Sequence, residues 1–470
     1  MNGPLDHLIE STFPDVSVHK GLAAKAGLSG RAIPAFVSDW LVSRYRTGDG
    51  IDGDAIRRFV ARHLPDKNQK EVLLYELKSG NPLKILDAYS VSVNPTTGAL
   101  QLRIPVMDIS TARVIDSIVD EHPLLLMGNV WGSGTLAWRQ NPDKKNQFQI
   151  VMTQFKPMQA SVIDLPYFIS QRGQYGLDDW INLLVRSMGY AEDQYTDRQK
   201  MLMLTRLIPL VEPRVNLIEL APKGTGKSHV FSQLSRHAWL VSGGVVTRAQ
   251  LFMDMSRQRS GIITRYDAVI LDEIQTIKLS NEGEIIGALK GYLESGEFRV
   301  MGHHGTAEAG FVILGNIPIE DGNPRDDNLF YELPAWLKGV GATALLDRFS
   351  ALLPGWELPR IESASICRSY ALRADYFSEV LHILRNNPDY MAYVTVHTRA
   401  DGDLRDVKAI QRLASGYLKL LFPDLSQMTP DRFAAYCLQP AIELRRNIRR
   451  QMSLMDAEYS SRVAPIEIVP

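Results

Sequence analysis

Hydrophobic positions change their period several times along the chain, and each change marks an element boundary. Apolar residues recur at helical spacing between Ile33 and Arg46 (Phe36, Trp40, Leu41, Tyr45) and between Asp54 and Leu64 (Ile56, Phe59, Val60). Residues 1 to about 80 therefore read as a helical region. From about residue 87 the period falls to two. YSVSV and ALQLRIPV alternate on either side of NPTTG, which predicts a hairpin over Tyr89–Val106. A helix-like piece follows over Arg113–Val119, and LLLMGNVWGSGTLAW and FQIVMTQF are further strand candidates. A small antiparallel sheet or barrel of the oligonucleotide-binding (OB) kind fits residues 81–170, and a plain structural β-domain fits them equally well.

Helical periods over Gly176–Tyr190 and Asp197–Leu207 lead into VNLIELAPKGTGKSHVF, Val215–Phe231, which opens an α/β core spanning residues 171–365. Leu217–Leu220 form a short buried strand with one acid among the apolar residues. A glycine-rich loop and an apolar-periodic helix follow. Strand, loop and helix in this order make a phosphate-binding loop, in which backbone amides and the helix N-terminus face an anion. Pro222, Lys223, Gly224, Thr225 and Gly226 form the cradle. Lys227 is placed to reach the β- and γ-phosphates of ATP, and Ser228 to hold magnesium. The pattern begins with glycine, and Ala221 stands there instead, the mildest replacement. Roughly 45 residues on, DAVILDEIQ (Asp267–Gln275) is an apolar strand ending in Asp272 and Glu273. Asp272 suits the magnesium shell, and Glu273 suits a base that orients and deprotonates water.

Glu284–Leu293 reads as a helix. Phe298–Met301 and Gly310–Leu314 then read as two strands of a hairpin around GHHGTAEA, inserted before FVILGN. Asn316 ends that last strand as a third strand-end polar group, a candidate phosphate sensor. Arg299, His303 and His304 on the hairpin, with Lys290 upstream, are candidate DNA contacts lining a ring pore. Zinc is not expected at the histidines, because no third ligand lies nearby. Arg348 follows an apolar helix in ATALLDRF and suits an arginine finger acting on a neighbour's γ-phosphate. Residues 366–470 read as a helical lid and tail. Arg405 begins its long helix, where it can turn toward nucleotide. ELRRNIRRQ, Glu443–Gln451, reads as a solvated basic face.

Composition narrows the class. The 470 residues exceed one core, and hydrophobic residues at 45% with a net charge of −1 describe an ordinary globular protein whose cationic surface must be local. Arg44, Arg46, Arg57, Arg58, Arg62 and His63 are one local cluster, with a solvated helix face as its default explanation and a DNA-facing surface as the alternative. Cys367 and Cys437 cannot build a disulfide framework. Neither a secretory signal nor a membrane span is visible, so the expected compartment is the cytoplasm.

APKGTGKS, VILDE, the hairpin before FVILGN, ALLDRF and LRDVKAIQRLASGYLKLLFP together resemble the AAA+ ATPases. Within them, LTRLIPLVEPRVNLIELAPKGTGKSHVF is similar to the BrxL family, the Lon-related AAA+ proteins of BREX phage defence. The hairpin and ALLDRF also resemble the minichromosome-maintenance helicases. The resemblance implies an AAA+ P-loop core, a parallel sheet flanked by helices, with a helical lid and N-terminal helical and OB-like regions. It implies Lys227 and Ser228 as Walker A, Asp272 and Glu273 as Walker B, Asn316 as sensor 1, Arg348 as arginine finger and Arg405 as sensor 2. ATP and Mg2+ are the implied cofactors. The implied assembly is a homo-hexamer, single or as a stacked pair, that encircles double-stranded DNA and acts with other BREX proteins. The chain stops roughly where longer members continue into a Lon-like domain, so protease activity is not expected. Competing functions are a protein-remodelling ATPase and a nucleotide-dependent scaffold. A His-His-Gly-Thr tip without aromatic residues favours DNA over polypeptide, while Glu273 and Arg348 argue against a scaffold.

Overall fold

The computed structural model describes residues 3–469 apart from 26–27, 29–32, 49, 95–96, 127–129, 142–146, 159–162, 257–258 and 332. Pro95 and Thr96 of the expected turn, and Met127–Asn129 of the third strand candidate, thus lie outside the described residues. The chain divides into two compact units, residues 18–163 and residues 1–17 with 164–470.

In the first unit, helices Ala35–Arg44 and Gly53–His63 form on the two expected apolar stripes, burying Phe36, Val37 and Leu41 in one and Ile56 and Val60 in the other. Arg44, Arg46, Arg57, Arg58 and Arg62 are exposed, as a solvated face and a DNA-facing surface both require. Five strands follow, β1 (Leu83–Val93), β2 (Leu100–Ile104), β3 (Ile109–Val114), β4 (Val130–Gln140) and β5 (Phe148–Pro157). They close into a barrel in the order β1-β2-β3-β5-β4. The expected hairpin is β1–β2, with Ser90 opposite Arg103. Arg113, expected to begin a helix, instead lies on β3, which pairs in parallel with β5 through Arg113 and Val151. The helix starts three residues later as α1 (Asp116–Glu121), between β3 and β4. Tyr89, Leu102, Met107, Leu136 and Met152 fill the interior.

The second unit is built on a parallel sheet. Its strands, in chain order, are β6 (Leu217–Ala221), β7 (Ala238–Val246), β8 (Ala268–Leu279), β11 (Gly310–Asn316) and β12 (Ala351–Pro354). Between β8 and β11 the chain inserts α3 (Glu282–Ser295) and the two strands of a hairpin, β9 (Glu297–Val300) and β10 (His303–Thr306). The sheet order is β7-β8-β11-β6-β12, and every pairing in it is parallel. The loop after β6 opens helix α2 (Lys227–Gln233). Beyond α3 lie α4 (Val340–Leu346), α5 (Ala374–Arg385), α6 (Leu404–Leu421) and α7 (Gln439–Met455). Strand residues Ile218, Leu271 and Ile313 share one core with Leu289 and Tyr292 of α3 and Ile448 and Met452 of α7. No described helix is long and apolar enough to cross a membrane.

Three expectations change here. The hairpin is not formed by Phe298–Met301 with Gly310–Leu314. Its strands are β9 and β10, with Arg299 opposite His304 and Val300 opposite His303. Met301 and Gly302 both take positive φ, 47° and 81°, and make the tight turn. Gly310 instead starts a core strand beside Ala268. The tip is therefore Met301–Gly302, and the histidines lie on the returning strand. Second, Glu443–Gln451 is not a solvated face. Arg445 is fully buried, donating from Nε to Asp406 at 2.7 Å and from Nη2 to Asp347 at 2.7 Å, and Arg449 is buried against Asp406 and Asp403. Only Arg446 and Arg450 of the four arginines face water. Third, residues 1–17 leave the N-terminal region for the ATPase unit, because Asp6 accepts hydrogen bonds from Arg186 at 2.8 Å and from the Tyr370 amide at 3.0 Å.

Removing one partner of a buried pair leaves the other charge uncompensated. Arg445→Ala should cost about 3–5 kcal/mol, and the exposed Arg446→Ala should stay within about 0.5 kcal/mol. Urea denaturation of both variants checks this contrast.

Candidate active site

The phosphate loop rises from the carboxyl end of β6, the edge where ligands of open parallel sheets bind. Gly224 and Gly226 take φ of 89° and 75°, in the region that favours glycine. At Gly226 a side chain is also excluded by space, since a Cβ would lie 2.3 Å from Ile361 Cδ1 and 2.6 Å from the Tyr190 hydroxyl. The loop's backbone is tied down on one side by Tyr190, whose hydroxyl donates to the Gly226 carbonyl at 3.2 Å. Ala221 has its own explanation. A Cβ on Gly355 would fall 2.6 Å from that of Ala221, so the side chain absent at position 355 gives the room used at 221.

The single acid of β6 anchors the loop from below. Glu219 and Arg206 are both fully buried and form a two-pronged ion pair, at 3.0 and 2.6 Å. Arg206 also donates to the Thr225 carbonyl at 3.3 Å, turning that oxygen into the protein and away from an anion. Sequence reasoning noted Glu219 only as an acid in an apolar strand. A charged residue inside such a strand, with arginine upstream, was the available signal.

Four of the expected site residues meet above this base. In the sheet register Ala221 stands beside Asn316, and Leu271, just before Asp272, beside Ile313. Lys227 donates to Asn316 Oδ1 at 2.7 Å and to the Pro222 carbonyl at 3.4 Å. Burial pushes the Lys227 amine below its ordinary pKa, while Glu219, Asp272 and Glu273 oppose that shift. Gln275 holds Asn316 by its backbone, donating to its carbonyl at 2.6 Å and accepting from its amide at 3.4 Å. Gln275 was missed as a functional residue. Glu273 differs from an ordinary strand residue. Register with β7 jumps from Ser242–Asp272 to Gly244–Ile277, so Glu273, Ile274, Gln275 and Thr276 stand against Gly243 alone. Glu273 has φ of 53° and is exposed, and Asp272, buried, accepts its amide at 2.8 Å. The strand was expected to end in Asp272 and Glu273, but it resumes after this bulge and runs to Leu279. Ser228 sits in the first turn of α2, half-buried. A hydroxyl at the helix start and a buried carboxylate beyond it are an oxygen donor set suited to magnesium.

Arg348 and Arg405 lie elsewhere. Arg348 follows α4, and its carbonyl accepts from Asn216, the residue just before β6. It thus belongs to the amino edge of the sheet, and the phosphate loop to the carboxyl edge. The five residues of β6 separate them by about 16 Å along the strand. Arg348 Nε lies 3.1 Å from Glu294 Oε2, and Arg405 Nε donates to the same oxygen at 2.9 Å. Arg405 Nη1 also donates to Asp347 at 2.9 Å. Burial opposes the charge on Arg405, but these carboxylates outweigh it and hold the guanidinium above its ordinary pKa. The structure therefore brings Arg405 to Arg348 and not to its own phosphate loop.

Lys290 is half-buried on α3, Arg299 and His304 are exposed on the hairpin, and His303 is half-buried beside Phe298. Cys367 and Cys437 are buried free thiols.

A phosphate loop, an Asp-Glu at the bulge of the neighbouring core strand and a strand-end asparagine on a parallel sheet define an AAA+ P-loop ATPase fold. Residues 150–464 match the family described as "Lon-like protease BrxL-like, ATPase domain", and residues 11–138 match "BREX system Lon protease-like protein BrxL N-terminal". The chain belongs to the BrxL family. It is 30% identical over 456 residues to the Lon-like protease BrxL of Escherichia coli O9:H4 (strain HS), covering 95% of this chain and 64% of that one. It is 27% identical over 454 residues to the Lon-like protease BrxL of Bacillus cereus (strain H3081.97), covering 94% and 66%. The chain thus spans less than two thirds of either relative's length.

The explanation of Ala221 is testable. Gly355→Ala should destabilise the protein by about 1–3 kcal/mol through overpacking, and adding Ala221→Gly should recover part of the loss. Thermal unfolding of the single and double variants measures both.

Proposed function

We propose that the chain is a ring-forming AAA+ ATPase that encircles double-stranded DNA and couples ATP hydrolysis to clamping or translocation in BREX-type phage defence. The observation that carries this reading is the place of Arg348. An arginine on the amino edge of the sheet serves no nucleotide on the carboxyl edge of its own chain. A head-to-tail contact repeated to closure sets that edge against a neighbour's phosphate loop, which is how rings form. The hexamer and a stacked pair of hexamers both obey this geometry.

The chemistry follows from the side chains. Lys227 and the loop amides bind the β- and γ-phosphates. Ser228 and Asp272 would hold magnesium, which supplies charge neutralisation on those phosphates. Glu273 takes the proton of the water that attacks the γ-phosphorus. The bond to the bridging oxygen breaks, and ADP leaves with phosphate. Asn316 fixes Lys227 and meets the γ-phosphate, and Arg348 of an adjacent copy stabilises the charge that builds there.

DNA is supported by two features. The β9–β10 hairpin presents Arg299 and His304 side by side on an exposed face. The closed five-stranded barrel, with β3 and β5 parallel, shares the five-strand architecture of oligonucleotide-binding barrels. Other BREX proteins are the proposed partners, in the bacterial cytoplasm. A second reading, a polypeptide-remodelling motor, draws on Met301, 65% exposed at the hairpin tip.

Two outcomes test these points. Arg348→Ala and Lys227→Ala should each abolish ATP turnover alone. A mixture should regain it, because an intact loop then meets an intact arginine across a mixed contact. A mixture as inactive as its parts contradicts the assembly. For DNA, Arg299→Ala with His303→Ala and His304→Ala should weaken duplex binding and flatten its salt dependence by about one unit of slope per lost phosphate contact. Unchanged affinity in a filter-binding titration favours the polypeptide reading.

A further inference from the structure

Arg405 is engaged at the far edge of the sheet by Glu294 and Asp347. Another arginine stands at the phosphate loop. Residues 358–366 form a strap that crosses the phosphate loop. The Ile361 amide donates to the Gly224 carbonyl at 2.8 Å, and the Ile361 side chain packs where a Cβ on Gly226 would be. The strap is fixed at both ends. Upstream, the Glu357 carboxylate accepts from Arg198 at 2.5 and 3.0 Å, and its carbonyl accepts from Gln199 at 2.8 Å. Leu358 is buried. Downstream, the Ser365 carbonyl accepts the Ala191 amide at 2.9 Å, and Ile366 bridges to Tyr190. Tyr190 is the residue whose hydroxyl holds Gly226.

Arg360 projects from this strap. Its Cγ lies 3.9 Å from where a Cβ on Gly224 would be. The side chain is exposed, and no carboxylate among the described residues pairs with it. Arg206 lies under the loop and is paired with Glu219, and Arg368 donates to Ser363 further along the strap at 3.0 Å. A cation held on a rigid strap at a phosphate-binding glycine, without a counter-ion, lacks the partner that an anionic ligand would supply. We propose that Arg360 contacts the phosphate chain of the nucleotide bound to its own subunit, closing the phosphate loop from the solvent side. The inference rests on the nucleotide reading above and adds a same-chain arginine to it.

Titration of the full chain with mant-ADP and magnesium tests the role. Arg360→Ala should bind about tenfold more weakly, the size of a charge-assisted contact, and Arg360→Lys should lie between it and the unaltered protein. Mixing Arg360→Ala with Lys227→Ala chains should leave the affinity low, because a same-chain contact is not restored by a neighbour. Undiminished binding by Arg360→Ala, or recovery in the mixture, overturns the proposal. Lys227→Ala alone separates this from the underlying reading. If Lys227→Ala binds mant-ADP as well as the unaltered protein, the nucleotide site itself is misplaced. Thermal unfolding of Arg360→Ala, expected to match the unaltered protein because the side chain is exposed, removes misfolding as the cause.

Discussion

The carboxyl ends of five parallel strands meet along one edge of the sheet, and their order places Ala221 next to Asn316, with Asp272 on the strand beyond. Every contact a nucleotide could make with this chain's core depends on that alignment. Two devices hold it. The buried Arg206–Glu219 pair fixes the base of the phosphate loop and its Thr225 carbonyl. The side chain of Gln275 pairs with the backbone of Asn316 as a neighbouring strand would. The bulge that begins at Glu273 then frees one carboxylate from the sheet while Asp272 stays buried within it.

The opposite edge has a different chemistry. Arg348 and Arg405 converge on Glu294, and Arg405 shares Asp347 with Arg445, which in turn shares Asp406 with Arg449. This chain of charges joins α3, the end of α4, α6 and α7. Buried pairs of this kind resist partial disruption, because each charge depends on the next. The geometry therefore links Glu294 and Asp347 to the packing of the two long C-terminal helices.

Much of the ATPase core was legible in the sequence because it is local. A strand, Gly224, Gly-Lys-Ser at 226–228 and a helix announce a phosphate loop, and an apolar strand carrying Asp-Glu announces its own carboxylates. Four of the five barrel strands were legible by period, but Ile109–Val114 was not read as a strand, and Arg113 was read as helix because Val114, Ile118 and Val119 fit a helical stripe across the real boundary. Long-range facts were not legible. Nothing near Arg405 says that Glu294 and Asp347 will take it, or that Asp406 will draw Arg445 inward. The hairpin was misread because period-two alternation does not separate a returning strand at His303–Thr306 from the core strand at Gly310. The deciding signal was Met-Gly at 301–302, a two-residue turn of the type in which both residues take positive φ. Arg360 had no sequence signal at all, since only the fold lays its strap across Gly224.

The central claim is that ATP hydrolysis at the carboxyl edge is coupled to DNA. The most direct measurement is ATP turnover with and without long duplex DNA, for the unaltered protein and for Glu273→Gln. The account predicts turnover that rises with DNA and is abolished by the substitution, with nucleotide binding retained. Turnover indifferent to DNA, or turnover that survives Glu273→Gln, would contradict it.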